Sequence, residues 1–139
     1  MKAVTRWVQD MMFVGESGSG HAVVMDGAPE AGGRNLGVRP MEMLLLGLAG
    51  CTGSDVVQIL QKARQPVSGC VVEVSAERAD APPRVFTRIH VHYQVSGAAL
   101  AEHHVQRAVS LSAEKYCSVS VMLGRSVEIT HDFEITAAG

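Results

Sequence analysis

The sequence predicts an α+β fold in which most strands pair in an antiparallel way. Segments with the period-two alternation of strands and segments with helical spacing follow one another in the order β-β-α-β-β-α-β. This order leaves few places for the right-handed crossovers of a doubly wound parallel sheet. At 139 residues the chain has the usual size of one domain, so we expect a single domain over residues 1–139.

The composition and net charge argue against several classes of protein. The chain is 47% hydrophobic and 19% charged, which indicates a large core or apolar surface buried between subunits. A net charge of −2 provides no basic field for nucleic acid or an anionic membrane. Residues 1–7 lack the apolar stretch of a secretory signal, and the apolar run at 43–49 is shorter than the roughly 20 residues that span a bilayer. We therefore expect a cytoplasmic protein with no nucleic-acid or membrane partner.

The first half of the chain predicts a hairpin, a loop and a long helix. Residues 2–14 and 21–25 are rich in β-branched and large apolar side chains around a glycine-rich turn, which predicts an opening β-hairpin. Residues 26–38 carry four glycines and a proline and predict a surface loop. A helix is predicted from about Pro40, a favoured first helical residue, to Arg64, before Pro66. Its first half is apolar nearly all round, so we expect burial on most faces.

The second half predicts two strands, a helix and a final strand. Residues 69–77 and 85–95 alternate apolar and polar side chains on either side of a Pro-Pro break and predict a meander. Residues 98–116 show helical spacing, and residues 127–135 alternate again. Cys117 is thereby placed where the second helix ends and a further turn begins, a position at which a thiolate can be stabilised by backbone N–H groups.

The cysteines and histidines are the candidate chemical groups. Cys51, Cys70 and Cys117 are an odd, sparse set without Cys-x-x-Cys spacing, so neither a disulfide framework nor a zinc knuckle is predicted. By position alone, Cys51 on an apolar helix and Cys70 on a strand are typical of buried small hydrophobic residues. His90 and His92 share a strand face but have no evident third ligand, and no cofactor-binding motif is present. No metal and no cofactor are therefore predicted.

Three segments carry a resemblance to a known family. Residues 39–51 (RPMEMLLLGLAGC), residues 55–62 (DVVQILQK) and residues 112–119 (SAEKYCSV) resemble the corresponding segments of the OsmC/Ohr family, and within it the YhfA-like branch. This family comprises the osmotically inducible and organic hydroperoxide resistance proteins. The resemblance covers nearly the whole chain, and it implies an OsmC-like domain in which antiparallel sheets wrap around a long central helix in an intertwined homodimer.

The resemblance also implies an activity and roles for two cysteines. The family's best-characterised branches are thiol peroxidases that reduce organic hydroperoxides. Carried onto this sequence, Cys51 would attack the peroxide and become a sulfenic acid, and Cys117 would resolve it as a disulfide that a dithiol then reduces. This division of roles is chemically necessary, because a sulfenic acid is recovered only if a second thiol captures it before further oxidation.

The family's peroxidases pair the reactive cysteine with an N-terminal arginine and with a glutamate at the start of the central helix. Here Glu42 is the candidate acid. The early arginines are Arg6, Arg34 and Arg39, of which Arg39, beside the helix start, is the first candidate and Arg34 the next. Residues 13–30, where the family's arginine would lie, contain no arginine, and Glu42 lies one position closer to Cys51 than in the peroxidase pattern.

These departures keep two other functions open. A non-catalytic homodimer could bind a small acyl or lipid-like ligand in an apolar pocket around Cys51. A cysteine hydrolase would need a histidine partner, for which His21 and His104 are candidates.

Overall fold

The computed structural model describes residues 1–137 and has a mixed α+β fold, as predicted. Two three-stranded sheets and one long helix form most of it. Its contacts fall into two compact units, residues 1–44 and the chain from residue 45 onward, and each is described by itself.

The N-terminal unit contains an antiparallel sheet in the order β1-β2-β3. These strands are Ala3–Gln9, Met12–Ser17 and Ala22–Met25. The prediction of one strand over residues 2–14 is wrong, because the chain reverses at Asp10, whose φ is +52°. Asparagine and aspartate tolerate this left-handed conformation better than most residues, but an apolar run without glycine gives little local sign of such a turn.

The loop before the helix is held by one buried carboxylate. The predicted loop over residues 26–38 contains only a short 3₁₀ turn, Pro29–Ala31. Asp26 is 2% exposed and accepts backbone N–H groups from Gly27, Arg34 and Leu36 at 2.7, 3.2 and 3.1 Å. Burial alone would raise the pKa of Asp26, but these hydrogen bonds hold it below its usual value. The carboxylate thereby orders the chain that leads into the helix.

The long helix α1 spans Pro40–Lys62 and ends before Arg64, whose φ is +58°. The expectation that its first half is buried on most faces is wrong for the single chain, because Leu44 and Leu46 are 44% and 56% exposed. One stripe is buried instead, at the helical spacing i, i+4, i+8 and i+12. Its members are Leu48, Thr52, Val56 and Leu60.

By length and composition α1 could cross a bilayer. Within the second unit, however, the Thr52 hydroxyl is hydrogen-bonded to Tyr93 and Ser112, which lie on other elements. These buried contacts, together with the buried stripe, identify α1 as a core helix of this unit.

The second unit contains a mixed sheet in the order β4-β5-β6. The strands are Val67–Arg78, Phe86–Gly97 and Glu128–Thr136. β4 pairs antiparallel with β5, but β5 pairs parallel with β6. The prediction of mostly antiparallel pairing therefore holds for the other strand pairs within residues 1–137, where the isolated bridge between Met25 and Val38 is also parallel. The parallel pair is possible because the helical segment between β5 and β6 is long enough to carry the chain back to the same end of the sheet.

That crossover consists of three helical pieces. α2 spans Glu102–Leu111, a π-helical turn follows at Ser112–Tyr116, and α3 spans Ser118–Leu123. The predicted helix over residues 98–116 thus begins later and changes character at Ser112. α1, β5 and α2 all contribute almost completely buried apolar side chains to the unit, among them Leu48, Leu60, Ile89, Tyr93 and Val105.

Candidate active site

Cys51 and Asp55 lie one turn apart on α1. Because residues four apart on an α-helix share a face, the thiol and the carboxylate are on the same side of the helix. Cys51 is partly exposed, whereas its neighbour Thr52 is 1% exposed. The helix therefore holds the Cys51 thiol at the margin of the core.

Cys117 lies at the junction between the π-helical turn and α3, as the sequence predicted. Its backbone is extended, with φ −74° and ψ 106°, and its Sγ accepts the Ser120 backbone N–H at 3.3 Å. The side chain is completely buried. Cys117 thus acts as the N-cap of α3, with its sulfur held by a hydrogen bond.

The fold brings the two cysteines together. The Sγ atoms of Cys51 and Cys117 and a carboxylate oxygen of Asp55 all lie within 4.8 Å of one another. Within residues 1–137, Cys70 is not a member of this cluster; it lies in β4, where burial raises its pKa. Cys51 and Cys117 are therefore the pair whose sulfurs can form a disulfide, once they move from within 4.8 Å to bonding distance.

The two thiols have different surroundings. Burial raises the pKa of Cys117 to about 11; the Ser120 N–H partly opposes this rise and the adjacent Cys51 sulfur adds to it. At neutral pH Cys117 is therefore a protonated, weakly nucleophilic thiol. Cys51 is the more accessible of the two sulfurs.

A chain of buried hydroxyl groups ends on Asp55. Tyr93 Oη lies 2.6 Å from Thr52 Oγ1, and Thr52 Oγ1 lies 2.7 Å from Ser112 Oγ. Ser112 Oγ donates to Asp55 Oδ2 at 2.9 Å. Since each hydroxyl has one proton and a carboxylate only accepts, the protons point from Tyr93 through Thr52 and Ser112 towards Asp55. Burial raises the pKa of Tyr93, which keeps its hydroxyl protonated as this direction requires.

The sequence analysis did not identify Asp55, Thr52, Ser112 or Tyr93 as site residues. Asp55 carries one usable signal, because an acid four residues after a helical cysteine must share its face. Ser112 and Tyr93 carry none, because only the tertiary fold brings them to α1.

An open cleft lies against Asp55. Its volume is about 560 Å³, and Lys62 and Arg107 contribute cationic side chains to its wall. Ile59, Leu111 and Tyr116 contribute apolar surface. A small organic molecule would fit into this cleft beside the carboxylate.

Arg39 and Glu42 have local roles in the N-terminal unit. Glu42 Oε1 accepts the Arg39 backbone N–H at 2.8 Å, which satisfies a donor at the start of α1 as in a capping box. Arg39 Nη1 donates to Asn35 Oδ1 at 3.0 Å and to the Gly37 carbonyl at 3.2 Å. The roles that the resemblance implies for these two side chains at Cys51 remain predictions.

The fold and this cluster define a small α+β protein with a paired-thiol site. Residues 32–132 match the family model described as OsmC-like protein. The chain belongs to the OsmC-like family, as its sequence motifs indicated.

Individual relatives agree with this assignment. Protein YhfA of Escherichia coli (strain K12) is 49% identical over 141 residues, which cover 99% of this chain and 100% of the relative. The crystal structure of a hypothetical protein from Aquifex aeolicus VF5 is 27% identical, with a TM-score of 0.86 over 99% of this chain and 97% of that one. The organic hydroperoxide resistance protein OhrB of Bacillus subtilis shares the fold, with a TM-score of 0.64 and 20% identity over 96% of each chain.

Proposed function

We propose that this protein is a thiol-dependent peroxidase that reduces organic hydroperoxides in oxidative stress defence. The observation that carries the proposal is the approach of the Cys51 and Cys117 sulfurs within 4.8 Å of each other. Family membership supports it, since relatives by fold are described as organic hydroperoxide resistance proteins.

In the first step the Cys51 thiolate attacks the terminal peroxide oxygen. An S–O bond forms, the O–O bond breaks, and the alkoxide takes a proton and leaves as an alcohol. Cys51 becomes a sulfenic acid, so the sulfur is oxidised by two electrons and the peroxide is reduced by two. Cys51 suits this role because it is the more accessible of the two sulfurs. The species that attacks the peroxide is the thiolate form of this cysteine.

In the second step Cys117 attacks the oxidised sulfur of Cys51. An S–S bond forms, the S–O bond breaks, and the hydroxide leaves as water with the proton that Cys117 gives up. Because the pKa of Cys117 is about 11, this proton must be removed as the bond forms. Asp55 lies close enough to accept it and pass it to the leaving hydroxide, while Ser112 holds the carboxylate in place. An external dithiol then reduces the disulfide and is itself oxidised.

In the resemblance, Arg39 and Glu42 supply the cation and acid that stabilise the thiolate and orient the peroxide. We retain these roles as part of the proposal. They require the Arg39 guanidinium to exchange its present contacts with Asn35 and Gly37 for the substrate.

We also propose that the working form is a cytoplasmic homodimer. All seven residues of β1 are exposed in the single chain, and Trp7 and Leu46 are 66% and 56% exposed. Apolar surface of this kind is typical of a face that a second copy covers. A dimer would also meet the sequence expectation that α1 is buried on most faces.

The test follows consumption of cumene hydroperoxide by the full chain in the presence of dithiothreitol. We expect Cys51→Ser to abolish turnover and Cys70→Ser, the matched control outside the cluster, to retain it. When treated with peroxide without dithiothreitol, Cys117→Ser should accumulate sulfinic acid on Cys51, because no second thiol captures the sulfenic acid. Mass spectrometry of wild-type peptides after peroxide treatment should detect a Cys51–Cys117 linkage. Unchanged turnover in Cys51→Ser would refute the proposal.

A second candidate function is the binding of an apolar ligand without catalysis. The sequence predicts the ligand pocket around Cys51; the apolar cavity that favours this function lies instead in the N-terminal unit. Its volume is about 500 Å³, and its mainly apolar walls include Met11, Phe13, Met25 and Pro40. Decanoic acid should then raise the melting temperature of the wild type while cumene hydroperoxide stays unconsumed. Replacing Phe13 by Ser should reduce that rise. No shift with acyl chains of several lengths would count against this function.

A further inference from the structure

The three side chains of the cluster are also a set of metal ligands. Two thiols and one carboxylate, from Cys51, Cys117 and Asp55, have their ligand atoms within 4.8 Å of one another. Thiolate sulfur and carboxylate oxygen are both common ligands of Zn²⁺, and three protein ligands with one open position are typical of sites where a small molecule can reach the metal.

We propose that the reduced protein binds one thiophilic divalent cation, of which Zn²⁺ is the representative, through Cys51 Sγ, Cys117 Sγ and one Asp55 oxygen. The fourth coordination position is open to water or to a small ligand. As a form of regulation this rests on the proposed peroxidase function, but metal binding itself requires no reaction with peroxide.

The spacing suits a tetrahedral ion. Zn–S bonds of about 2.3 Å and Zn–O bonds of about 2.0–2.2 Å place ligand atoms about 3.5–3.8 Å apart. The present separations of up to 4.8 Å need only a small contraction, which side-chain rotation of the partly exposed Cys51 can supply.

Two of the ligands are already oriented by neighbouring groups. Ser112 Oγ donates to Asp55 Oδ2, which leaves the other carboxylate oxygen free, and the Ser120 N–H donates to Cys117 Sγ. Such outer hydrogen bonds fix ligand orientation and strengthen metal binding. The Ser112 bond continues into the buried hydroxyl chain through Thr52, so the carboxylate is held by the core.

The ion would change the state of the buried thiol. A cysteine sulfur that coordinates a metal is bound as a thiolate, so both thiols lose their protons on binding. Binding should therefore release protons into the solvent.

Metal binding and oxidation exclude each other. Formation of a Cys51–Cys117 disulfide joins both sulfurs and removes them as ligands, so the disulfide form should not bind the ion. Conversely, a bound ion shares a lone pair of the Cys51 sulfur and lowers the nucleophilicity of that sulfur towards the peroxide. The site would thus be held inactive by the metal and freed when the ion is removed.

The test uses Co²⁺ as a spectroscopic probe on the reduced full chain, with no peroxide present. We expect one Co²⁺ per chain, with the near-ultraviolet charge-transfer absorption of a thiolate-bound cobalt, and displacement of that signal by Zn²⁺. Cys70→Ser is the matched control and should retain the full signal. Cys51→Ser, a change at a partly exposed position, should abolish most of it, and Asp55→Asn should weaken binding by at least about tenfold, the lower end for loss of a group at a metal site.

The outcomes separate metal binding from catalysis. Absence of thiolate absorption at stoichiometric Co²⁺, or an equal signal in wild type and Cys51→Ser, would overturn the inference. A thiolate signal together with absent peroxide turnover would leave metal binding standing and refute the peroxidase. Binding through the partly exposed histidines His90 and His92 would lack the thiolate absorption. Melting curves of each variant show whether it is folded, and the Asp55→Asn result is independent of the cysteine changes.

Discussion

Replacing Thr52 by Val tests the buried hydroxyl chain that positions Asp55. Thr52 and Tyr93 are each 1% exposed, and Ser112 is completely buried. Valine has nearly the same shape and a similar helix propensity, so the change removes little except the hydroxyl. Ser112 still donates to Asp55, but the Tyr93 hydroxyl loses the acceptor that lies 2.6 Å away.

The expected loss follows from these contacts. Leaving one buried hydroxyl unsatisfied costs about 1–3 kcal/mol. The added methyl group offsets roughly 0.8 kcal/mol of this. We therefore expect the free energy of unfolding to fall by about 0.2–2 kcal/mol, which corresponds to up to about 8 °C in melting temperature for a chain of this size.

The assay is urea unfolding at one fixed protein concentration, since an oligomer's stability depends on concentration. Thr87→Val, at an exposed threonine on β5, is the control and should change stability by less than about 0.5 kcal/mol. Adding Tyr93→Phe to Thr52→Val removes the orphaned hydroxyl and should cost much less than the sum of the single changes. Strict additivity, or a Thr52→Val protein as stable as wild type, would refute the hydrogen-bonded chain.

Three further predictions concern stability. Asp132 and Glu134 raise the pKa of His92, and His92 and His90 lower the pKa of Asp132. The stability that these interactions give the folded state is therefore lost as the pH rises through the raised pKa of His92 or falls through the lowered pKa of Asp132. His92→Gln should therefore lower the melting temperature most between about pH 4 and 6.5, and a pH-independent effect would contradict this. Leu60→Ala, at a completely buried position of α1, should reduce the free energy of unfolding by about 2–5 kcal/mol in urea titrations, and a smaller loss would indicate that the surroundings collapse into the cavity. Arg64→Gly should stabilise the folded protein by up to about 1 kcal/mol, because Arg64 has a φ of +58°. Lys62→Gly, at the last helical residue, should instead destabilise the folded protein by up to a similar amount. Equal effects of both changes in thermal melts would argue against the left-handed helix end.

Much of the fold was predictable because its signals are local. The start of α1 at Pro40 follows from the proline, and its length from apolar spacing that continues to Lys62. β4 and β5 follow from their alternation. The break at Asp10 and the parallel pairing of β6 were not predicted. The first depends on one residue's backbone conformation, and the second depends on which side of β5 the last strand joins.

For the candidate site, the sequence by itself determined which thiols to consider and that one of them lies on the long helix. It also placed Cys117 at a helix junction, because capping positions are defined by neighbouring residues. These features depend on residues close together in the chain.

Only the tertiary structure decided what surrounds those thiols. Thr52 and Ser112 are separated by 60 positions, yet their hydroxyls are hydrogen-bonded. Ser112 in turn donates to the Asp55 carboxylate, which lies beside the sulfurs of Cys51 and Cys117. Serine, threonine and tyrosine occur in many surroundings, so their identity carries no signal of a partner that distant. The packing of β5 and the crossover against α1 supplies the partners, because a buried hydroxyl must find a hydrogen bond wherever the fold places it.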